Sequence, residues 1–129
     1  MSEAPFLLLV EDNAKIRTNT LTQLRDDGLA AHAVESAEEA LAFLAAATEP
    51  PDVLLVDVRL PGLSGIDLLR DLGSRGDCPP AIIISGEASI AETVEALRLG
   101  VYDLIEKPFT RERLLQSVRN CLEHVAVKR

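Results

Sequence analysis

The chain has little that would staple, span or stack. It contains no tryptophan, one tyrosine and three phenylalanines. Cysteine occurs only at Cys78 and Cys121, without CxxC spacing, which argues against a disulfide framework or a structural metal site. The expectation is two buried or half-buried free thiols in a reducing compartment. Basic residues are scarce: 13 Lys and Arg face 21 Asp and Glu, for a net charge of −8. Contacts to phosphate backbones need clustered Lys and Arg, so no direct nucleic-acid binding is expected. No apolar run approaches the ~20 residues of a membrane span, so no membrane association is expected. The opening MSEAPFLLLVEDN has no basic region ahead of its apolar run and no cleavage-like site, so it does not read as a secretory signal. The cytoplasm is the expected location. Repeats, low-complexity tracts and any sign of a second domain are also missing. One domain over 1–129 is expected, with its core at about 5–124 and with 125–129 as the start of a linker.

What is present is alternation. FLLLV (6–10), VLLV (53–56) and AIII (81–84) are apolar at consecutive positions, the habit of parallel strands covered on both faces. AHAV (31–34) and YDLI (102–105) are less apolar and read as edge strands. Helix-length segments separate the five. The first, about 14–27, has a thin stripe of Ile16, Leu21 and Leu24 and ends at Asp27-Gly28. Residues 36–47 open on a capping box, Ser36 to Glu39, and place Ala37, Ala40, Leu41 and Leu44 on one face. Residues 64–75 carry Ile66, Leu69 and Leu72. Residues 89–99 repeat the capping box with Ser89 and Glu92, align Ile90, Val94 and Leu97, and stop at Gly100. The last helix starts after Thr110 and aligns Leu114, Leu115, Val118, Leu122 and Val125. This is α/β, a (βα)5 flavodoxin-like doubly wound parallel sheet. Placing the three most apolar strands at the centre agrees with the strand order 2-1-3-4-5 known for such sheets.

Ligands of open α/β sheets bind beyond the carboxyl ends of the strands, near the switch in strand order. Glu11 and Asp12 follow the first strand, and Asp57 ends the third. Crowded carboxylates are costly to ionise together, and a hard divalent cation with oxygen ligands relieves the cost. Ser85-Gly86 follows the fourth strand and Lys107-Pro108 the fifth. A hydroxyl, an open backbone amide, an ammonium and a cation make a cradle for a phosphoryl group. A carboxylate held in such a cradle is placed to attack phosphorus and form an acyl phosphate. Pro61-Gly62 then supplies the sharp turn that lets the Arg59 carbonyl face the metal.

With LLLVEDN, LLVDVRLPGLSGIDLL, IIISGEA and GVYDLIEKPF in order, from about Pro5 to His124, the sequence resembles the receiver domain of two-component response regulators. The resemblance implies a phosphorylation-dependent signalling switch, not an enzyme with a separate substrate. Asp57 is the implied phosphoacceptor. Glu11, Asp12, Asp57 and the Arg59 carbonyl are the implied ligands of Mg2+, with Mn2+ able to substitute. Ser85, the Gly86 amide and Lys107 would hold the phosphoryl oxygens, and a cis bond is implied before Pro108. Arg59 and Glu87 occupy the positions that tune phosphoryl loss. The implied partners are a sensor histidine kinase, a C-terminal output domain in a longer parent protein, and a second copy through the 89–126 face. The stretch from Ile84 to Phe109 is further similar to receivers of AAA+ transcription activators of the NtrC/NtrX kind, which implies a transcriptional output.

Two positions depart from the family pattern. Leu104 stands where an aromatic residue usually couples to the hydroxyl residue, so Ser85 and Leu104 are the switch pair here. Val101 replaces a frequent alanine and should tighten local packing. Three rival readings exist. A flavin-type binder needs a hydroxyl- and glycine-rich loop where EDNAKIR stands. A haloacid-dehalogenase-type phosphatase needs a second aspartate where Arg59 stands, and a cap domain. A degenerate receiver would act as a phosphorylation-independent scaffold.

Overall fold

The computed structural model describes residues 5–76 and 78–128, with side chains described through His124. Five strands and five helices alternate: β1 (Phe6–Val10), α1 (Ala14–Asp26), β2 (Ala30–Val34), α2 (Ala37–Ala46), β3 (Val53–Asp57), α3 (Gly65–Ser74), β4 (Ala81–Ser85), α4 (Ile90–Arg98), β5 (Asp103–Glu106) and α5 (Arg111–Lys128). All strand pairs are parallel, in the order β2-β1-β3-β4-β5. The edge strands are the two that looked least apolar.

Strand alternation explains why the central runs are apolar throughout. Leu8, Val10, Leu54, Val56 and Ile83 point to one face, where they pack with Ala37 and Ala40 of α2, Leu68, Leu69 and Leu72 of α3 and Ala96 of α4. Leu7, Leu9, Val53, Leu55, Ile82 and Ile84 point to the other, against Leu24 of α1 and Leu114, Leu115, Val118 and Cys121 of α5. Each fully buried Leu or Ile contributes ~1.5–3 kcal/mol, so the two half-cores drive folding.

The helix signals resolve unevenly. Ser89 and Glu92 form the expected reciprocal capping box, and Ser64 and Asp67 form another. At α2 the box does not close. Ser36 accepts from the Glu39 amide, but the Glu39 carboxylate accepts from the Glu35 amide, one residue before the cap. The aligned residues of α4 do not face the core: Ile90 is 85% exposed and Leu97 63%, while Ala96 is buried. Cys121 is buried as expected, but Cys78 is exposed, and both thiols are free. Val125 lies outside the residues whose side chains are described. Tyr102 falls just before β5 and contacts the His124 ring at 5.5 Å.

Asp103 fastens α5 to the edge strand. Its carboxylate accepts from Arg113 Nη1 (2.9 Å), Ser117 Oγ (2.7 Å) and the Leu104 amide (2.8 Å). Burial alone would raise its pKa, but these donors outweigh burial and leave it below the usual carboxylate value. A depressed folded-state pKa stabilises above the unfolded value near ~4, and the gain is lost as pH falls through the folded value. Asp103→Asn is expected to lose about 1–2 kcal/mol at pH 7. The gap to wild type in urea unfolding should narrow below pH ~4. A gap independent of pH would remove the charge from this explanation.

Candidate functional site

Register decides what meets at the carboxyl edge of the sheet. Val10 lies opposite Val56, Asp57 opposite Ile84, and Ser85 opposite Glu106. Glu11, Asp57, Ser85 and Lys107 therefore emerge at one level. Glu11 is 1% exposed and Asp57 5%, so two carboxylates are buried beside each other. Lys107 joins them: its Nζ donates to Glu11 Oε1 at 2.7 Å and to Asp57 Oδ2 at 2.9 Å. Its stem runs beside Gly86, where an added Cβ would meet Lys107 Cβ at 3.7 Å.

The electrostatics follow from this contact. Burial, first of all, raises the pKa of Glu11; the Asp57 carboxylate raises it further, and the Lys107 ammonium opposes both. For Lys107, burial works against the charged form, but the bonds to Asp57 and Glu11 prevail and its pKa rises above the ordinary lysine value. The ammonium is thus fixed in its charged state.

The remaining carboxylate oxygens are also held. Glu11 Oε2 accepts from the Asn13 amide (3.2 Å), and Asp57 Oδ1 from the Arg59 amide (3.0 Å). Asn13 in turn caps α1 by accepting from the Ile16 amide. Glu11, Asp12 and Asp57 each offer an oxygen, all within 4.8 Å of one another, and Asp12 is exposed. This donor set suits a hard divalent cation that keeps several waters. The Arg59 carbonyl accepts no hydrogen bond among the described residues.

Ser85 is buried, and its hydroxyl accepts from the Glu87 amide at 3.2 Å. Ser85, Gly86 and Leu104 line a cavity of about 170 Å3 together with Glu87, Ala88, Thr93 and Glu106. Leu104 is half-buried and leans on the core. Arg59 and Glu87 meet: Arg59 Nη2 donates to the Glu87 carbonyl at 2.9 Å. The Lys107–Pro108 peptide bond is cis.

One site residue escapes a reading of the sequence. Gly65 opens α3 so close to β3 that an added Cβ would stand 2.2 Å from the Asp57 carbonyl oxygen and 2.8 Å from Val56 Cγ1. Its amide donates to the Val58 carbonyl at 3.0 Å. The available signal was a glycine in the first turn of a helix, a position that ordinarily has no use for one. Gly62 supplies the expected turn after Pro61 with φ of 74°.

Comparison with known proteins agrees with this geometry. The family model described as the response regulator receiver domain matches residues 7–119. The C4-dicarboxylate transport transcriptional regulatory protein DctD of Rhizobium meliloti (strain 1021) is 35% identical over 123 residues, 95% of this chain and 26% of that protein. The transcriptional regulatory protein FixJ of the same strain is 35% identical over 121 residues, 91% of this chain and 56% of that protein. The crystal structure of NtrX from Brucella abortus superimposes with a TM-score of 0.87 at 33% identity, covering 98% of this chain and 29% of NtrX. This chain belongs to the response regulator receiver domain family. It is a regulatory switch domain whose acidic cluster matches a phosphoaspartate, metal-dependent mechanism, and nothing in the site favours a degenerate scaffold. The chain spans about a quarter of DctD and about half of FixJ. No helix among the described residues is long and apolar enough to cross a membrane.

Gly65→Ala should destabilise the domain by about 1–3 kcal/mol through overpacking against β3. Urea unfolding checks the loss, and amide shifts at Val58 and Arg59 check that the strain reaches the site. An unperturbed variant would contradict the close approach.

Proposed function

We propose that Asp57 accepts a phosphoryl group from the phosphohistidine of a sensor histidine kinase. The observation that carries this reading is the buried Asp57 carboxylate, held by the Lys107 ammonium and the Arg59 amide at a strand end beside two further carboxylates. An Asp57 oxygen attacks phosphorus and the P–N bond breaks. Its electron pair stays with the imidazole, and an acyl phosphate forms. Hydrolysis by water returns Asp57 and inorganic phosphate. Lys107, the Ser85 hydroxyl and the Gly86 amide hold the phosphoryl oxygens. Glu11, Asp12, Asp57 and the Arg59 carbonyl would hold Mg2+, or Mn2+ in its place. When bound, the ion supplies positive charge against the oxygens of the transferring group.

The phosphoryl group adds about −1.5 to −2 of charge at this edge. The added charge favours a state in which Ser85 and the start of α4 have moved inward, with Leu104 turning in place of an aromatic residue. The 89–126 face then changes partner, to a second copy or to a C-terminal output domain. A transcriptional output is supported by the similarity to DctD and FixJ, which are transcriptional regulatory proteins. The residues from about 5 to 124 form the core of one domain, and the domain works in the cytoplasm. Arg59 and Glu87 tune the lifetime of the acyl phosphate.

Incubation with acetyl phosphate and Mg2+ should add one phosphoryl group by intact mass. The gain should vanish without Mg2+ and in Asp57→Asn. An unlabelled wild type, under conditions that label a known receiver, would sink the reading.

A further inference from the structure

Arg59 makes contacts that phosphoryl tuning does not explain. Its amide is bonded to Asp57 Oδ1, while its guanidinium reaches across to α4. Nη2 donates to the Glu87 carbonyl at 2.9 Å and to Glu92 Oε1 at 2.8 Å. That Glu92 oxygen is also the one that accepts from the Ser89 amide at 2.9 Å to complete the α4 capping box. One side chain therefore grips both the β4–α4 loop and the cap of α4, from a root two residues beyond Asp57.

The helix it grips is thinly anchored. Ala96 is the buried residue of α4, and the apolar stripe of Ile90, Val94 and Leu97 is exposed. The loop also borders open space, because Gly86, Glu87 and Ala88 line the 170 Å3 cavity together with Ser85, Thr93 and Leu104. The guanidinium makes this grip in contact with solvent: the side chain is 56% exposed. An ion pair this exposed is weak, whereas a phosphoryl dianion offers a guanidinium two parallel charge-assisted bonds.

We infer that Arg59 is the positioning residue that links Asp57 to α4, clamping Glu87 and Glu92 at rest and releasing them when Asp57 carries a phosphoryl group. The release rests on the phosphoacceptor reading above; the resting clamp does not.

Hydrogen exchange over residues 86–94, with intact mass recorded on the same samples, tests both halves. Without phosphate, Arg59→Ala should exchange roughly two- to fivefold faster than wild type in this segment, with β4 unchanged as the internal control. Glu92→Gln keeps an acceptor for the Ser89 amide and loses the ion pair, so it should shift the same way. Arg59→Lys should fall between. Acetyl phosphate with Mg2+ should speed exchange in wild type towards the Arg59→Ala level and add little to Arg59→Ala itself. A purely structural arginine would instead leave the phosphorylation response intact in Arg59→Ala, and that result overturns the inference. Equal protection in unphosphorylated wild type and Arg59→Ala also overturns it. A wild type that gains no phosphoryl mass sinks the phosphoacceptor reading and the release with it. A labelled wild type with unchanged exchange sinks the release alone.

Discussion

Two buried carboxylates one strand apart need a cation, and Lys107 is the cation that the fold itself supplies. Burying an ion without a partner costs several kcal/mol even after relaxation, so Glu11 and Asp57 without Lys107 would oppose folding. With it, the ends of β1, β3 and β5 are tied together across β4. The tie is strong in place and poor in symmetry. One ammonium serves two carboxylates, and Asp12 stands exposed beside them. The edge therefore keeps a surplus of negative charge that a divalent cation satisfies.

The surrounding elements approach that edge as closely as their chemistry permits. α3 begins at a glycine because any side chain there would enter the Asp57 backbone. α4 is held from the same edge by Arg59, through a carboxylate that already caps the helix. A change at Asp57 thus meets one rigid neighbour and one weakly held neighbour. Of the five helices, α4 buries the fewest residues among those described, which puts it at the low-stability end of the fold.

Strands and site were the legible parts of the sequence, because both are written locally. Runs such as FLLLV and VLLV are apolar at every position, which only a doubly covered strand requires. The residue that matters stands at or just beyond the end of each strand, so strand order and parallel register bring Glu11, Asp57, Ser85 and Lys107 together. Helix faces were less legible. Ile90, Val94 and Leu97 have the spacing of a core stripe, but spacing says only that residues share a face, not which way the face turns. The Ser36–Glu39 pair has capping-box spacing too, yet the Glu35 amide competes for the carboxylate. Gly65 gave only the weak signal of a glycine opening a helix, because its reason is a neighbour eight residues away in sequence and 2.2 Å away in space. Cys78 looked like a buried or half-buried thiol by residue type, and the loop before β4 leaves it exposed.

On this reading Glu11, Asp12 and Asp57, organised by Lys107, form one divalent-cation site. A Mg2+ titration followed through backbone amide resonances tests it without phosphate. The amides of Asp12, Asn13, Val58 and Arg59 should shift together along one saturable curve. Asp12→Asn, which removes an exposed ligand and leaves the Lys107 tie intact, should weaken that curve by tenfold or so. Resonances that do not move, or that move equally in Asp12→Asn, would contradict the claim.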